Sequence, residues 1–437
     1  MMINSNIYIK INFILCCILC AIWTLPNTIL WRNLFLCFGG ILSVLIIYEK
    51  QSYVRLLKKY ALNILGLLLI WVFVHFLFFS MDPNLQLKEL SGLWIRSVLA
   101  MLMAVTLILY LNTNPRSTLL LGICVGATVL INIGFYIFNS LQFERFLLPV
   151  EIMGRPFHKI ESVFWGSLWI AWALANLHYL ISSNNTSIRL RYTILWITVI
   201  LISLISSLLS GAKNGMIIGI TLICIFAGLL LSQMFREHYR IKIGIICFLL
   251  ITSIFIFGSW YFKNTSGWAT FFSDSRIAFQ IDENSHWKKP EEGLPPGVVA
   301  SNTYARVAWA HVGFRIITEH PLGYGLVNQS FERWLDYLQI DHKTNRQTHS
   351  GWIDFGLAFG IPGVLILWSA IFFIIYKGFS QKNLLSLIAG WICIAIFGLG
   401  IISEIFYKQF FEAILFWITF GAAAISVEKK EFNIIKF

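Results

Sequence analysis

Residues 384–403 read LLSLIAGWICIAIFGLGIIS, an apolar stretch without a charged side chain. As an α-helix, a stretch of this length spans about 30 Å, which matches the hydrocarbon core of a bilayer. Lipid offers no hydrogen-bonding partner to the backbone, so such a segment forms a helix, in which the peptide groups satisfy one another. The stretch therefore predicts a membrane-spanning helix.

Similar runs recur along the whole chain. Of its 437 residues, 58% are hydrophobic and only 12% are charged, which excludes an ordinary soluble globular protein. We predict an all-α polytopic membrane protein with about twelve transmembrane helices. These spans lie near residues 7–25, 29–47, 61–81, 93–112, 118–139, 162–181, 193–210, 214–234, 243–262, 351–376, 384–403 and 410–427.

The positive charges predict the orientation of these helices. The formal net charge is +12, and Lys and Arg concentrate in the short linkers 48–60, 182–192 and 235–242 and in the C-terminal tail. Short basic linkers are typical of the cytoplasmic side of a membrane. We therefore expect both termini in the cytoplasm and the segment 263–350 on the opposite face of the membrane. Because orientation accounts for most of the charge, we expect membrane lipids and no nucleic acid as partners.

The chain divides into three parts on this basis. Residues 1–262 hold predicted transmembrane helices 1–9, residues 263–350 form a long periplasmic loop, and residues 351–437 hold helices 10–12 and a cytoplasmic tail. Apolar periodicity inside the loop predicts short helices at 303–318 and 331–338. The loop is therefore expected to be mainly helical.

The border between this loop and the next apolar run carries a candidate catalytic residue. His349 is followed by Ser350 and, nine residues later, by Gly360-Ile361-Pro362-Gly363. A histidine at the membrane surface can take a proton from a hydroxyl group, so His349 is a candidate general base. Ser350 is predicted to cap the following helix, and Gly360 and Gly363 predict close helix packing within it. The alternative is an interfacial histidine without a catalytic role.

Two cations are predicted on the same face as His349. Arg306 lies in the predicted helix 303–318, and its planar fork of donors suits a diphosphate. Lys213 ends the polar break Ser210-Gly211-Ala212-Lys213, where a charge at the membrane boundary either meets an anion or extends towards lipid headgroups. Either residue alone could be an ordinary surface charge. Together with His349, they would form a diphosphate-binding pocket that contains a proton acceptor.

The sequence indicates no metal site. Its histidines show no spacing typical of metal ligands, and all eight cysteines lie in apolar runs. We therefore expect neither a metal nor another cofactor, and no disulfide framework.

These motifs resemble those of the O-antigen ligase and polymerase superfamily, integral membrane glycosyltransferases of the GT-C type. In its ligases, His is followed by Asn, Ser or Gln, nine residues, and Gly-x-x-Gly, Thr or Tyr, which residues 349–363 fit fully. Arg306 and the glycine-rich continuation at 321–325 resemble the superfamily's arginine-bearing helix and the segment after it. Residues 210–213 resemble its Ser-x-x-Arg turn, with Lys213 in place of the usual arginine. The resemblance covers roughly 205–235 and 300–370.

The resemblance implies transfer of a glycan from undecaprenyl diphosphate to a sugar hydroxyl of lipid A–core. The reaction would take place at the periplasmic face of the bacterial inner membrane, with inversion at the anomeric centre and without a metal. Arg306 and Lys213 would bind the diphosphate, and His349 would orient or deprotonate the acceptor hydroxyl. Ser350, Gly360 and Gly363 would support the motif. Lys213 keeps the charge of the usual arginine but not its bidentate fork.

Three other functions stay open at this point. An O-antigen polymerase joins carrier-linked repeat units, and Arg145, Arg155 and Lys159 in the linker 140–161 could bind its second lipid diphosphate. A protein-glycosylating ligase is another alternative. A transporter or flippase is the third, although no internal repeat of the kind common in transporters is evident. Three carboxylates could assist the reaction: Glu161, Glu319 and Glu404.

Overall fold

The structure is a computed structural model that describes residues 5–49, 60–143, 159–182, 189–237, 252, 270–343, 347–381 and 383–427. These residues form helices and turns without a strand, so the all-α prediction is confirmed. Seven of the helices are long and apolar enough to cross a membrane, or up to eight if one bent pair counts as a single span. The protein is therefore a polytopic membrane protein. The predicted span at 243–262 lies outside the described residues, except for residue 252.

The helices of the first part follow the predicted spans closely. They are α1 (Ser5–Ile22), α2 (Ile29–Glu49), α3 (Tyr60–Phe78), α4 (Pro83–Glu89), α5 (Ile95–Thr113), α6 (Ser117–Val125), α7 (Ala127–Gln142), α8 (Lys159–Ser182), α9 (Arg189–Leu209) and α10 (Lys213–Glu237). A π-helical turn at Leu90–Trp94 joins α4 to α5, and α6 and α7 are the bent pair, which meets at 49°.

The remaining helices belong to the long polar segment and to the last part of the chain. They are α11 (Phe271–Ala278), α12 (Ser301–Glu319), α13 (Ser330–Tyr337), α14 (Gly351–Gln381), α15 (Leu384–Ile402) and α16 (Lys408–Ala424). The predicted helices at 303–318 and 331–338 thus match α12 and α13 to within two residues at each end.

Two helices form the interior of the bundle. Every residue of α16 from Phe410 to Ala424 is buried, as is every residue of α8 from Ser162 to Ala175. Helix α16 packs against α3, α5, α14 and α15, and α8 packs against α9, α10 and α15. Both sequences are apolar on all sides and contain Gly or Ala, which lets neighbouring helices approach closely.

Helix α14 is broken within its first third. Phe359 and Gly360 leave helical geometry, with φ/ψ of −121°/15° and 66°/−172°, and Pro362 follows. Proline has no N–H and its ring clashes with the preceding turn, so the regular ladder of hydrogen bonds cannot continue through this point. The predicted span at 351–376 is thus present as α14, with a break inside it.

The segment 321–325 fills the break and satisfies the carbonyl groups that the break leaves open. The N–H groups of Tyr324 and Gly325 donate to Leu357 O and Ala358 O over 2.8 and 2.7 Å. In return, Ile361 N–H donates to Pro321 O over 2.8 Å. The two backbones touch so closely that a Cβ on Gly360 would lie 2.1 Å from Pro321 O.

Helices α11, α12 and α13 form a cap, residues 270–343, with a hydrophobic core of its own. Tyr304, Val312, Phe331 and Trp334 are buried in that core. Leu357 of α14 belongs to the same cluster, and its carbonyl also accepts a hydrogen bond from Trp334 Nε1 over 2.9 Å. The cap is therefore packed directly on the upper half of α14.

Candidate active site

His349 lies in the turn that enters α14 and has a left-handed backbone, with φ of 62°. This conformation is uncommon for a residue with a side chain and persists only where the surroundings fix it. Asp354, buried in the first turn of α14, accepts hydrogen bonds from the backbone N–H and the hydroxyl of Thr348 over 2.9 and 2.8 Å. On the other side of the turn, Gly351 N–H donates to Ser403 O over 3.0 Å. These contacts hold His349 in place.

Ser350 contacts a neighbouring helix. Its hydroxyl donates to the carbonyl of Gly400 on α15 over 3.3 Å. It therefore ties the turn to α15.

The imidazole of His349 faces a carboxylate and an indole. Its Nδ1 lies 3.2 Å from Oε2 of Glu404, in the short loop between α15 and α16. Its ring stacks on Trp309 of α12, with centroids 5.6 Å apart and planes at 20°. The side chains of His349 and Glu404 are 26% and 19% exposed, so substrate can reach them while most of their surface is shielded. A proton on Nδ1 would be donated to Glu404, which leaves Nε2 as the proton-accepting nitrogen.

Three cations form a group that adjoins this pair through Arg306. Burial lowers the pKa of the Arg306 guanidinium and the charge of Glu404 raises it, so the two groups are close and Arg306 remains charged. Lys213, at the start of α10, is repelled by both Arg306 and Lys159. Cations that repel one another in a partly desolvated site attract an anion that fits between them. The arrangement is therefore suited to a doubly charged ligand such as a diphosphate.

The loop that carries Glu404 is anchored at its first end by α10. The side-chain amide of Asn214, next to Lys213, donates to Ile402 O over 2.6 Å and to the hydroxyl of Ser403 over 3.2 Å. The cation of α10 and the carboxylate of the loop are thus fixed relative to each other through neighbouring residues.

The second end of the loop is anchored by the cap. Lys408 N–H donates to the amide oxygen of Asn328 over 3.0 Å. Asn328 is itself held by Glu89 at the end of α4, whose carboxylate accepts from the backbone and side-chain N–H of Asn328, both over 3.0 Å. Val327 N–H donates a third hydrogen bond to the carboxylate of Glu89 over 2.6 Å.

The three carboxylates that could assist lie in different places. Burial raises the pKa of the Tyr407 phenol, and the charges of Glu404 and Glu161 raise it further, so both acids are near this tyrosine. Glu319 instead pairs with Arg315 over 3.1 Å at the far end of α12. Thirteen residues of helix separate Glu319 from Arg306, about 20 Å. Glu319 therefore lies outside the site.

The structure thus brings His349 and Arg306 close to Glu404, with Lys213 next to Arg306. Ser350 adjoins them, whereas Gly360 and Gly363 lie deeper in α14, where they shape its packing. Two predicted cations of the linker 140–161, Arg145 and Arg155, lie outside the described residues.

Sequence reasoning left Glu404 undecided and missed Asn214 and Trp309. A signal for Glu404 was present, since it is the only acid in the short connection between the last two predicted spans, on the face that holds His349. Asn214 and Trp309 have no comparable signal, because their role depends on contacts between distant helices.

Comparison with known proteins adds independent support. No curated protein matches the chain. Residues 196–368 match the sequence model of a family described as O-antigen ligase. The match contains Lys213, Arg306 and His349 and ends before Glu404. The matched residues are therefore similar to an O-antigen ligase domain, which is consistent with the resemblance of the chain's motifs to the O-antigen ligase and polymerase superfamily.

Proposed function

We propose that this protein is an O-antigen ligase that transfers a glycan from undecaprenyl diphosphate to a sugar hydroxyl of lipid A–core. One observation carries the proposal: Nδ1 of His349 lies 3.2 Å from Oε2 of Glu404, beside Arg306 and Lys213. Under this proposal, an oriented base and a group of cations that binds an anion share one partly shielded site. A glycosyl transfer that expels a lipid diphosphate needs both.

In the proposed reaction, His349 activates the acceptor. The sugar hydroxyl is a weak nucleophile, and Nε2 of His349 accepts its proton as the oxygen attacks the anomeric carbon of the donor glycan. Glu404 holds the imidazole in the tautomer with a proton on Nδ1 and stabilises the imidazolium that forms. Trp309 limits the rotation of the ring through its stacking contact.

The cations act on the leaving group. As the bond between the anomeric carbon and the phosphate oxygen breaks, the electron pair leaves with the lipid diphosphate. Arg306 can grip that diphosphate bidentately, while Lys213 and Lys159 contribute point charges. Preformed charges aimed at the developing negative charge lower the barrier without needing to reorganise. Attack from the side opposite the diphosphate inverts the anomeric centre, and no step of this scheme requires a metal.

The proposal includes the predicted topology. Both termini would be cytoplasmic, and the segment 263–350, which contains the cap, would lie in the periplasm over the bacterial inner membrane. Residues 1–262 and 351–437 would form the membrane-embedded parts on either side of it. All groups of the site belong to one end of the bundle, where α8, α10, α14 and α16 begin, as this topology requires. We refer to this as the site end.

An O-antigen polymerase is the second candidate, and one observation favours it. Lys159, at the start of α8, acts electrostatically on Lys213, so the linker before α8 delivers at least one further cation to the site. A polymerase must bind two lipid diphosphates, which calls for more cations than a ligase needs.

Deletion of the gene in its host separates the two candidates. The readout is the lipopolysaccharide ladder on a gel together with the pool of carrier-linked glycan. A ligase deletion leaves bare core while long polymer accumulates on the carrier. Core that bears a single repeat unit, without a ladder, would instead establish a polymerase. A normal ladder would contradict both proposals.

A further inference from the structure

A second group of charged side chains lies at the site end, on the side of α16 that faces α2 and α5. The carboxylate of Glu412 is completely buried and lies between two arginines. Arg96 Nε is 2.6 Å from its Oε1, and Arg32 Nε is 3.7 Å from its Oε2. Glu412 is the fifth residue of α16, so the group lies about 6 Å below the start of that helix.

The charges of this group do not balance. One carboxylate faces two guanidinium groups, and the two arginines repel each other. Both arginines belong to apolar segments long enough to span a membrane, where an uncompensated charge is costly. If these charges served only to hold α16 against its neighbours, a single arginine would be enough to neutralise the carboxylate of Glu412. Among the described residues, moreover, Arg32 Nε is buried without a hydrogen-bond partner.

Arg96 is the member of the group that a ligand can reach. Its side chain is 30% exposed, compared with 8% for Arg32. Beside it, Gly92 leaves open space: a Cβ built there would meet only Arg96 Nη1, at 3.9 Å, among the described atoms. Gly92 belongs to the π-helical turn, an irregularity that recurs at functional sites.

The surroundings of Arg96 indicate access from the lipid. Ile95, next in the chain, is 54% exposed, and Trp31, next to Arg32, is 57% exposed. Exposed apolar side chains on spanning helices face acyl chains. A ligand that reaches Arg96 from this side therefore has a lipid tail. The cationic group favours a ligand whose negatively charged headgroup lies close to the membrane surface.

We propose that Arg96, held by Glu412 and backed by Arg32, binds the phosphate of a lipid substrate that enters between α2 and the π-helical turn. The inference rests on the proposed glycosyl transfer, which requires two phosphorylated lipids at one centre. The cations around Glu404 serve the departing diphosphate. The group at Arg96 would hold a lipid-anchored phosphate on the other side of α16, either that of the acceptor glycolipid or that of a carrier.

Lipid binding to the full-length protein in nanodiscs of zwitterionic lipid tests the proposal. The probes are bisphosphorylated lipid A, undecaprenyl diphosphate and phosphatidylglycerol, each titrated and followed by native mass spectrometry. The variants are R96Q, R96K and, as a matched control, R116Q, whose arginine is exposed just beyond the opposite end of α5. R96Q leaves the buried Glu412 with a weaker partner, so misfolding is an alternative cause of lost binding in that variant. R96K retains the positive charge beside Glu412 and separates the two causes.

We expect R96Q to weaken binding of lipid A or of undecaprenyl diphosphate about tenfold, the usual effect of losing a charge-assisted hydrogen bond. R96K should cause a smaller loss of the same binding, and R116Q should cause none. The probe that is affected identifies the source of the phosphate. Unchanged binding of both probes in R96Q, or an equal loss for phosphatidylglycerol, would overturn the proposal. Because no transfer is measured, failure of the ligase proposal would show up separately, as a normal ladder in the deletion strain.

Discussion

The backbone N–H of Lys408 donates to the side-chain amide oxygen of Asn328 over 3.0 Å, and Lys408 itself has a left-handed φ of 45°. This bond joins the first residue of α16 to the segment between α12 and α13. It fixes the exit of the loop that places Glu404 beside His349, while Asn214 fixes the entry.

Removal of this anchor should slow the reaction without unfolding the protein. Asn328→Ala loses the bond to Lys408 and leaves Glu89 with fewer donors, at a cost of about 1 kcal/mol per hydrogen bond. We expect the turnover number to fall about fivefold to tenfold, since 1.4 kcal/mol corresponds to a factor of ten, with the KM for the donor unchanged. Steady-state kinetics on carrier-linked glycan measure this, and Asn302→Ala, an exposed change in the cap, is the control. An effect confined to thermal stability would contradict a positioning role.

His349 and Glu404 should act as a unit. His349→Ala removes the proposed base, and transfer should fall by about 10²–10⁴-fold, the usual contribution of general base catalysis. Glu404→Gln retains a hydrogen-bonding side chain but not the charge that stabilises the imidazolium, so it should also be severely impaired. The double variant should be little worse than His349→Ala alone. Additive losses in the double variant would mean that the two residues act independently.

The cations should differ in their tolerance of substitution. Lys213→Arg retains the charge and adds a bidentate fork, so we expect activity close to that of the wild type. Arg306→Ala should abolish transfer while the protein remains in the membrane, and Arg306→Lys should retain only part of the activity. Complementation of the deletion strain, with immunodetection of the membrane fraction, measures both. Strong loss in Lys213→Arg would show that the assignment of the turn at 210–213 is wrong.

The break in α14 should depend on a single glycine. Gly360 has φ/ψ of 66°/−172°, a region that is essentially restricted to glycine, and an added Cβ would lie 2.1 Å from Pro321 O. Gly360→Ala should therefore destabilise the protein by at least about 1–3 kcal/mol. Gly134→Ala is the matched control, because a Cβ there meets no atom within 4 Å. Thermal unfolding in detergent compares the two, and equal melting temperatures would contradict the packing described for the break.

Much of the architecture could be predicted because it follows from local sequence. Apolar runs and the periodicity of 303–318 identify helices whose ends the structure places within a few residues. The break in α14 could not be predicted in the same way, since Pro362 indicates a kink but does not reveal that residues 321–325 fill it. The contacts of Glu404 were likewise hidden, because they join residues 55 positions apart in the chain.

The filled break in α14 has a mechanical consequence. The part of this helix before the break shares two backbone hydrogen bonds with residues 321–325 and a hydrophobic core with the cap, and Ile361, just beyond the break, shares a third bond. Because Ile361 lies beyond Gly360, residues 321–325 bridge the break and join its two sides. The bonds of Asn328 to Lys408 and Glu89 also tie the cap to the membrane helices. Any opening that moves Arg306 away from Lys213 to admit a bulky glycan therefore has to break these bonds.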